Sequence, residues 1–177
     1  LLVVIWPQLG EESARFRLMD TSAVNLKDGG DQQAVNARFT GIDRANRPFT
    51  LIADSATQSQ KDPNLVALAF PKADITLKNG AWIALSADNG RYERTTQMLD
   101  LNGGVTLFHD SGFQMRTAAA RVDFTTSIAT SDQPVAGQGP SGILSAKGFR
   151  VFEGGKRIWF DGPSRVVFWS KADQGGQ

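Results

Sequence analysis

Apolar and polar residues alternate along most of this chain with the period of a β-strand. ITL (75 to 77), WIALSA (82 to 87), MLDLNG (98 to 103), VTLFH (105 to 109), FQMRT (113 to 117), RVDF (121 to 124), FRVF (149 to 152), RIWF (157 to 160) and RVVFW (165 to 169) all read as strands, because successive side chains of a strand point to opposite faces. Between them stand Lys78-Asn79-Gly80, Asp88-Asn89-Gly90, Asn102-Gly103-Gly104, Asp110-Ser111-Gly112 and Glu153-Gly154-Gly155. Such residues supply the backbone conformations of tight turns, so each predicts a hairpin. No long window carries a helical period. The pattern predicts an all-β protein.

A repeat underlies the alternation. PFTLIADSATQSQKDPNLVALAF, IALSADNGRYERTTQMLDLNGGV, FQMRTAAARVDFTTSIATSDQPV and GILSAKGFRVFEGGKRIWFDG align on the small residues Ala53, Ala87, Thr117 and Ala146, which lie 34, 30 and 29 residues apart. A unit of strands and turns this short cannot bury its apolar face alone, so it stacks on its neighbours. The expected outcome is a strip of antiparallel hairpins folded into a V, a sandwich open along one side.

The alternation also assigns the faces. Phe70, Ile75, Leu77, Ile83, Leu85, Leu99, Leu101, Leu107, Phe113, Met115, Val122, Phe124, Phe149, Val151, Ile158 and Phe160 are expected inward, with Thr76, Thr106, Gln114, Arg116, Arg121, Asp123 and Arg150 outward. Two readings fit a continuous apolar face: the closed core of a sandwich, or the lining of a splayed groove that takes acyl chains. The late strand Arg165, Val166, Val167, Phe168 and Trp169 would be an aggregation risk if never covered.

Composition narrows the function. Nineteen Lys and Arg stand against 18 Asp and Glu, for a net charge of +1, which gives no basic field for nucleic acid. The chain has no cysteine and a single histidine, His109, which removes thiol nucleophiles and zinc-thiolate sites. No serine stands in a nucleophile-elbow setting. Gly137-Gln138-Gly139-Pro140 lacks the Lys-Ser or Lys-Thr of a phosphate cradle and reads as a β-turn or strand corner. No enzyme activity, metal or cofactor is expected. The scattered arginines either guard strand edges or meet an anionic headgroup.

The chain opens on LLVVIWPQL. Residues 1 to 6 are too few for a spanning helix or a signal peptide. The apolar run with Trp6 is expected to be the cut end of a transmembrane anchor; an apolar strand or helix docked on the domain is the other reading. Residues 7 to 35 are expected to form a tether with one possible strand, 36 to 169 the domain, and 170 to 177 a flexible tail.

The phrases NARFTGIDRANRPFTLIAD, PKADITLKNGAWIALSADNGRYE, LDLNGGVTLFHDSGFQMRT, DQPVAGQGPSGILSAKGFRV and GKRIWFDGPSRVVF resemble the LptC family of periplasmic lipopolysaccharide-export proteins, in a version similar to its α-proteobacterial members, and more broadly the OstA-like bridge domains. The resemblance implies a twisted open β-jelly roll, anchored to the inner membrane by one N-terminal helix. It implies lipopolysaccharide as the ligand, received from an inner-membrane ABC transporter and passed to the bridge protein LptA. Leu68 matches an inward position before the Pro71 corner that the family uses for ligand contact. The transporter would meet an N-terminal edge carrying Phe39, Thr40, Phe49 and Leu51, and LptA a C-terminal edge at residues 158 to 169. The alternative is a closed-core scaffold that joins assembly partners by its edges without binding lipid.

Overall fold

The computed structural model describes residues 17–18, 23–25, 32–42, 46–77, 79–152 and 157–169. These form β1 (Arg17–Leu18), β2 (Ala23–Asn25), β3 (Gln32–Ile42), β4 (Pro48–Gln58), β5 (Leu65–Ala69), β6 (Lys72–Thr76), β7 (Trp82–Ser86), β8 (Asn89–Glu93), β9 (Met98–His109), β10 (Gln114–Asp123), β11 (Ile128–Ser131), β12 (Val135–Gly139), β13 (Gly142–Ala146), β14 (Gly148–Phe152), β15 (Arg157–Asp161) and β16 (Arg165–Phe168). All pairings are antiparallel and join into one sheet. The protein is all-β, as the alternation predicts, with the jelly-roll-like fold that the family resemblance implies.

The sheet branches because its long strands change partners midway. β4 pairs with β6 through Phe49–Ile52 and with β5 through Ser55–Gln58. β9 pairs with β8 in its first half and with β7 in its second. β10 pairs with β12 from Gln114 to Thr117 and with β11 from Arg121 to Asp123. Two layers result. Layer I holds the start of β3, the end of β4, β5, β8, the start of β9, the end of β10, β11, β14 and β15. Layer II holds the complementary halves with β6, β7, β12, β13 and β16.

The chain therefore crosses between layers in every repeat, and the crossings form a spine. From layer II to layer I it passes through Ala53, Ala87, Thr117 and Ala146, the residues on which the repeats align, and all four are buried. A small side chain is required there because the layers converge. Three return crossings, within β3, between β5 and β6 and within β9, use a sharper device: Asn36, Phe70, Gly103 and Gly104 all have positive φ (52°, 48°, 81° and 86°). At Gly103 and Gly104 the register of β9 on β10 shifts by one residue, a β-bulge. Neighbouring crossings are sewn together. Phe70 N–H donates to Asp88 O (2.8 Å), Ala87 N–H to Pro71 O (3.1 Å) and Lys147 N–H to Asp161 O (3.1 Å). At the middle crossing Thr117 Oγ1 meets Ser131 Oγ at 3.1 Å, and Ser131 Oγ donates to Ala119 O at 2.6 Å.

Some turn signals acquire a different meaning here. Asp110-Ser111-Gly112 closes the β9–β10 hairpin, with Gly112 N–H donating to His109 O. Asn79 and Gly80 lie in the β6–β7 turn. Asn102-Gly103-Gly104 is no hairpin: it kinks one long strand, merging the segments expected on either side. Asp88-Asn89-Gly90 is a layer crossing that runs into β8. Both errors have one cause, since glycine and asparagine serve a bent strand as well as a reversal. Glu153-Gly154-Gly155, the opening run and the tail lie outside the described residues.

The N-terminal edge is also displaced. β3 is bonded to β4 on one side and to β1 and β2 on the other, and β4 is internal. Phe39, Phe49 and Leu51 are buried rather than at an edge.

Two substitutions separate the crossing types. Ala87→Leu overfills the spine at an expected cost of about 1–3 kcal/mol, which thermal unfolding reads as a lower Tm. Phe70→Gly removes an aromatic from a left-handed conformation that costs about 1–2 kcal/mol, and a Tm at or above that of the unsubstituted protein is expected.

Candidate functional site: the apolar inner face

Antiparallel partners share a face, so the registers trace each layer's surface. In layer II one cross-strand row reads Phe39, Leu51, Ala73, Leu85, Leu107, Met115, Gly137, Leu144, Val166. One residue along every strand lies the outer row: Arg38, Ile52, Lys72, Ser86, Thr106, Arg116, Ala136, Ser145, Arg165. In layer I the inner row is Val66, Tyr92, Leu99, Val122, Ala129, Val151, Ile158. Neither inner row contains a charge. A one-residue slip would exchange inner and outer rows throughout, so the registers are strongly specified.

Burial varies along these rows. Leu99 and Met115, in the middle, are 1% and 2% exposed, and Leu51, Leu68, Leu101, Phe149 and Val151 are likewise buried. Ile75, Leu77, Ile83, Leu85, Leu107, Phe113, Val122, Phe124 and Phe160 are half-buried. At the C-terminal end the same face reaches solvent, with Ile158 at 40%, Val166 at 49% and Phe168 at 76%. Ile158 faces inward, paired with Val151, and is exposed because β15 is the last strand of its layer among the described residues. Phe70 departs from the expected inward set: it is 53% exposed. Its positive φ ends the alternation of β5 and turns the ring out.

Two features escape sequence reasoning. The first is ring-on-glycine packing. A Cβ on Gly41 would stand 2.5 Å from the Phe49 ring, and one on Gly137 or Gly139 would stand 2.9 Å from Phe113. The Gly137-Gln138-Gly139 stretch is thus strand β12 flattened under an aromatic ring. The second is an aromatic contact between the layers. Phe49, at the start of β4 in layer II, stacks on Phe124, just past the end of β10 in layer I, with centroids 5.2 Å apart and planes at 19°. Tyr92 of layer I meets Phe124 edge-on at 6.2 Å. Burial pushes the Tyr92 phenol above its ordinary pKa, partly offset by Arg94. Neither contact follows from sequence spacing, because each ring belongs to a different repeat.

The outer face of layer I is charged and largely self-neutralised. Asp100 accepts from Arg121 Nε and from Arg91 Nη2 (3.3 Å), and Arg150 pairs with Asp161 at 3.4 Å. The Arg121 hydrogen bond, the largest influence, holds the Asp100 carboxyl below its usual range. Beside this pair a depression of about 240 Å³ is lined by Asp62, Leu65, Arg91, Glu93, Met98 and Asp100. It lies on the far side of the sheet from the apolar face.

His109, Asp110 and Ser111 do not make a hydrolytic site. Ser111 Oγ (2.8 Å), Ser111 N–H (3.1 Å) and Asp110 Oδ1 (3.1 Å) all meet the same ring nitrogen, Nδ1. A triad uses both nitrogens, one toward the nucleophile and one toward the acid. Among the described residues no three His, Asp or Glu side chains gather as a metal site. No helix among them is long and apolar enough to cross a membrane.

The turn that carries Phe124 is organised by Asp123. Its Oδ1 accepts from Thr125 N–H (2.8 Å), Thr125 Oγ1 (2.6 Å) and Thr126 N–H (3.2 Å). Burial alone would raise this carboxyl, but the hydrogen bonds from Thr125 and Thr126 outweigh it and hold the pKa below its ordinary value.

Residues 1–160 match the family model described as lipopolysaccharide-assembly, LptC-related. No curated protein matches the chain.

A depressed carboxyl pKa stabilises the fold above the unfolded value of about 3.9, and that contribution is lost as pH falls through the folded value. Asp123→Ala is therefore expected to lower the urea midpoint at pH 7 more than at pH 2.5. The two midpoint differences, measured side by side, check the turn.

Proposed function

We propose a mode of action on one premise: the chain belongs to the LptC-related family of lipopolysaccharide-assembly proteins. That membership gives it a role in lipopolysaccharide transport and associates it with the periplasmic side of the cell envelope. On our reading it binds the acyl chains of lipopolysaccharide against its apolar inner face. It relays them from an inner-membrane ABC transporter to LptA, held to the membrane by an N-terminal helix. No chemistry of its own is involved.

The observation that carries this reading is the exposure of the inner face at one end. Leu144 and Val151 are buried, while their row neighbours Val166 and Ile158 are open to solvent. A closed sandwich has no reason to extend two charge-free rows past its own cover. β15 and β16 are each bonded on one side only among the described residues, so both can take an added strand from a partner. The N-terminal partner would meet β1 and β2 instead of the buried β3 and β4.

The energetics suit a relay. Burying methylenes is worth about 0.8 kcal/mol each, so a chain of about 12 carbons gains roughly 10 kcal/mol on leaving water. Leaving a bilayer for an apolar groove is close to an even exchange. The protein then has only to offer a continuous apolar path, and the direction comes from the transporter.

The scaffold reading draws on the middle of the molecule, where Leu51, Leu99 and Met115 are almost fully covered. The two readings part at the open end. Photocrosslinking probes at Ile158 and Val166 are expected to give lipopolysaccharide adducts, and probes at the outward neighbours Trp159 and Val167 to give none. Equal labelling of the two sets, or none at either inward site in the folded protein, sinks the groove. Ile158→Arg is expected to abolish the adduct at Val166 while shifting Tm by no more than about 2 °C, since this site is already half open.

A further inference from the structure

We infer that the ring of Phe124 is a gate: it closes the side of the sandwich opposite the spine, and an acyl chain passes into the covered part of the inner face only when this ring leaves Phe49. The inference rests on the groove reading and adds the residue that regulates it. Phe49 sits at the rim of layer II and Phe124 at the rim of layer I, so their stack bridges two edges that no strand pairing among the described residues joins. Tyr92 braces Phe124 from layer I. Phe49 and Tyr92 are buried and fixed within β4 and β8, whereas Phe124 is half-buried and lies outside any strand. Of the three rings it is the one placed to move.

The turn bearing Phe124 is poised rather than relaxed. Residues 124–127 end on Ser127 with φ 56°, and its hydroxyl is buried without a hydrogen-bond partner. A left-handed serine and an unpaired buried hydroxyl are both unfavourable, and strain of this kind persists where the surroundings hold it. The repeat supplies an internal control. Residues 94–97 form the same turn 30 positions earlier, with Gln97 at φ 54°, and the place of Phe124 is taken by the exposed Arg94. The turn by itself does not call for an aromatic. Phe124 N–H donates to Gln97 O at 3.1 Å, so the turn stays attached while its side chain swings.

The absence of cysteine makes the test direct. Cysteines placed at Phe49 and Phe124, joined by a disulfide or a short bis-maleimide, lock the rims together. Uptake of fluorescently labelled lipopolysaccharide is followed in the unsubstituted protein, in the locked variant, and in the disulfide form after reduction. The expected result is uptake by the unsubstituted protein, none by the locked form, and recovery on reduction, which shows that the same molecules are folded. Phe124→Ala is expected to take up lipid about 2- to 12-fold faster, the factor such a ring pair contributes to an equilibrium. Uptake by the locked form as fast as by the unsubstituted protein overturns the gate and leaves the groove standing. No uptake by the unsubstituted protein overturns the groove, and the gate with it.

Discussion

The fold depends on the convergence of its two layers at the spine. Each repeat must carry the chain from layer II to layer I and back, and the space at the crossing admits only a small side chain on the way over. Ala53, Ala87, Thr117 and Ala146 meet that demand, and all are buried. Three of the returns make a tight change of direction instead, met by left-handed backbone at Asn36, Phe70, Gly103 and Gly104. Hydrogen bonds between successive crossings, such as Ala87 to Pro71, lock neighbouring repeats in step. Once the spine is set, the registers follow, and with them the separation of apolar inner rows from charged outer ones.

What lies far from the spine is held by weaker means. Among the described residues the rims opposite it carry no strand pairing from one layer to the other, and side chains bridge the gap. In the middle of the molecule these are Phe49, Phe124 and Tyr92. At the C-terminal end nothing among the described residues plays that part, and Val166 and Phe168 stand open. A strongly bonded side and a weakly closed one give the sandwich a natural direction in which to part.

The strand content, the small-residue repeat and most of the inward set were legible in the sequence because all three follow from a period of two. Leu99, Leu101, Met115, Phe149 and Val151 are buried where alternation puts them. Alternation fails where the backbone leaves the β region, which is why Phe70 points out. Turn residues were ambiguous because glycine in a bulge and glycine in a hairpin look alike; Gly103 and Gly104 bend a strand without reversing it. The edges were misjudged at one end because strands as short as β1 and β2 carry too few residues to show a period. The Phe49–Phe124 contact was out of reach altogether, since it joins residues 75 positions apart through the closure of the layers rather than through any local pattern.

An apolar path that carries acyl chains faces opposing demands. It must be covered, because two rows of exposed Leu, Val and Phe would be an aggregation surface. It must also admit its ligand without a large energetic step, because the exchange with a bilayer is nearly even and leaves little free energy to open a tight core. A fully packed interior such as that around Leu99 answers the first demand, and an open mouth such as that at Ile158 and Val166 answers the second. Both occur on one continuous surface here, with the half-buried Phe124 between the rims in the middle of the molecule. The outer charges bear on neither demand: Arg91 and Arg121 both pair with Asp100 on the opposite face of layer I. On the groove reading proposed above, the apolar rows, the spine that aligns them and the ring that closes them are the parts on which lipid passage would depend.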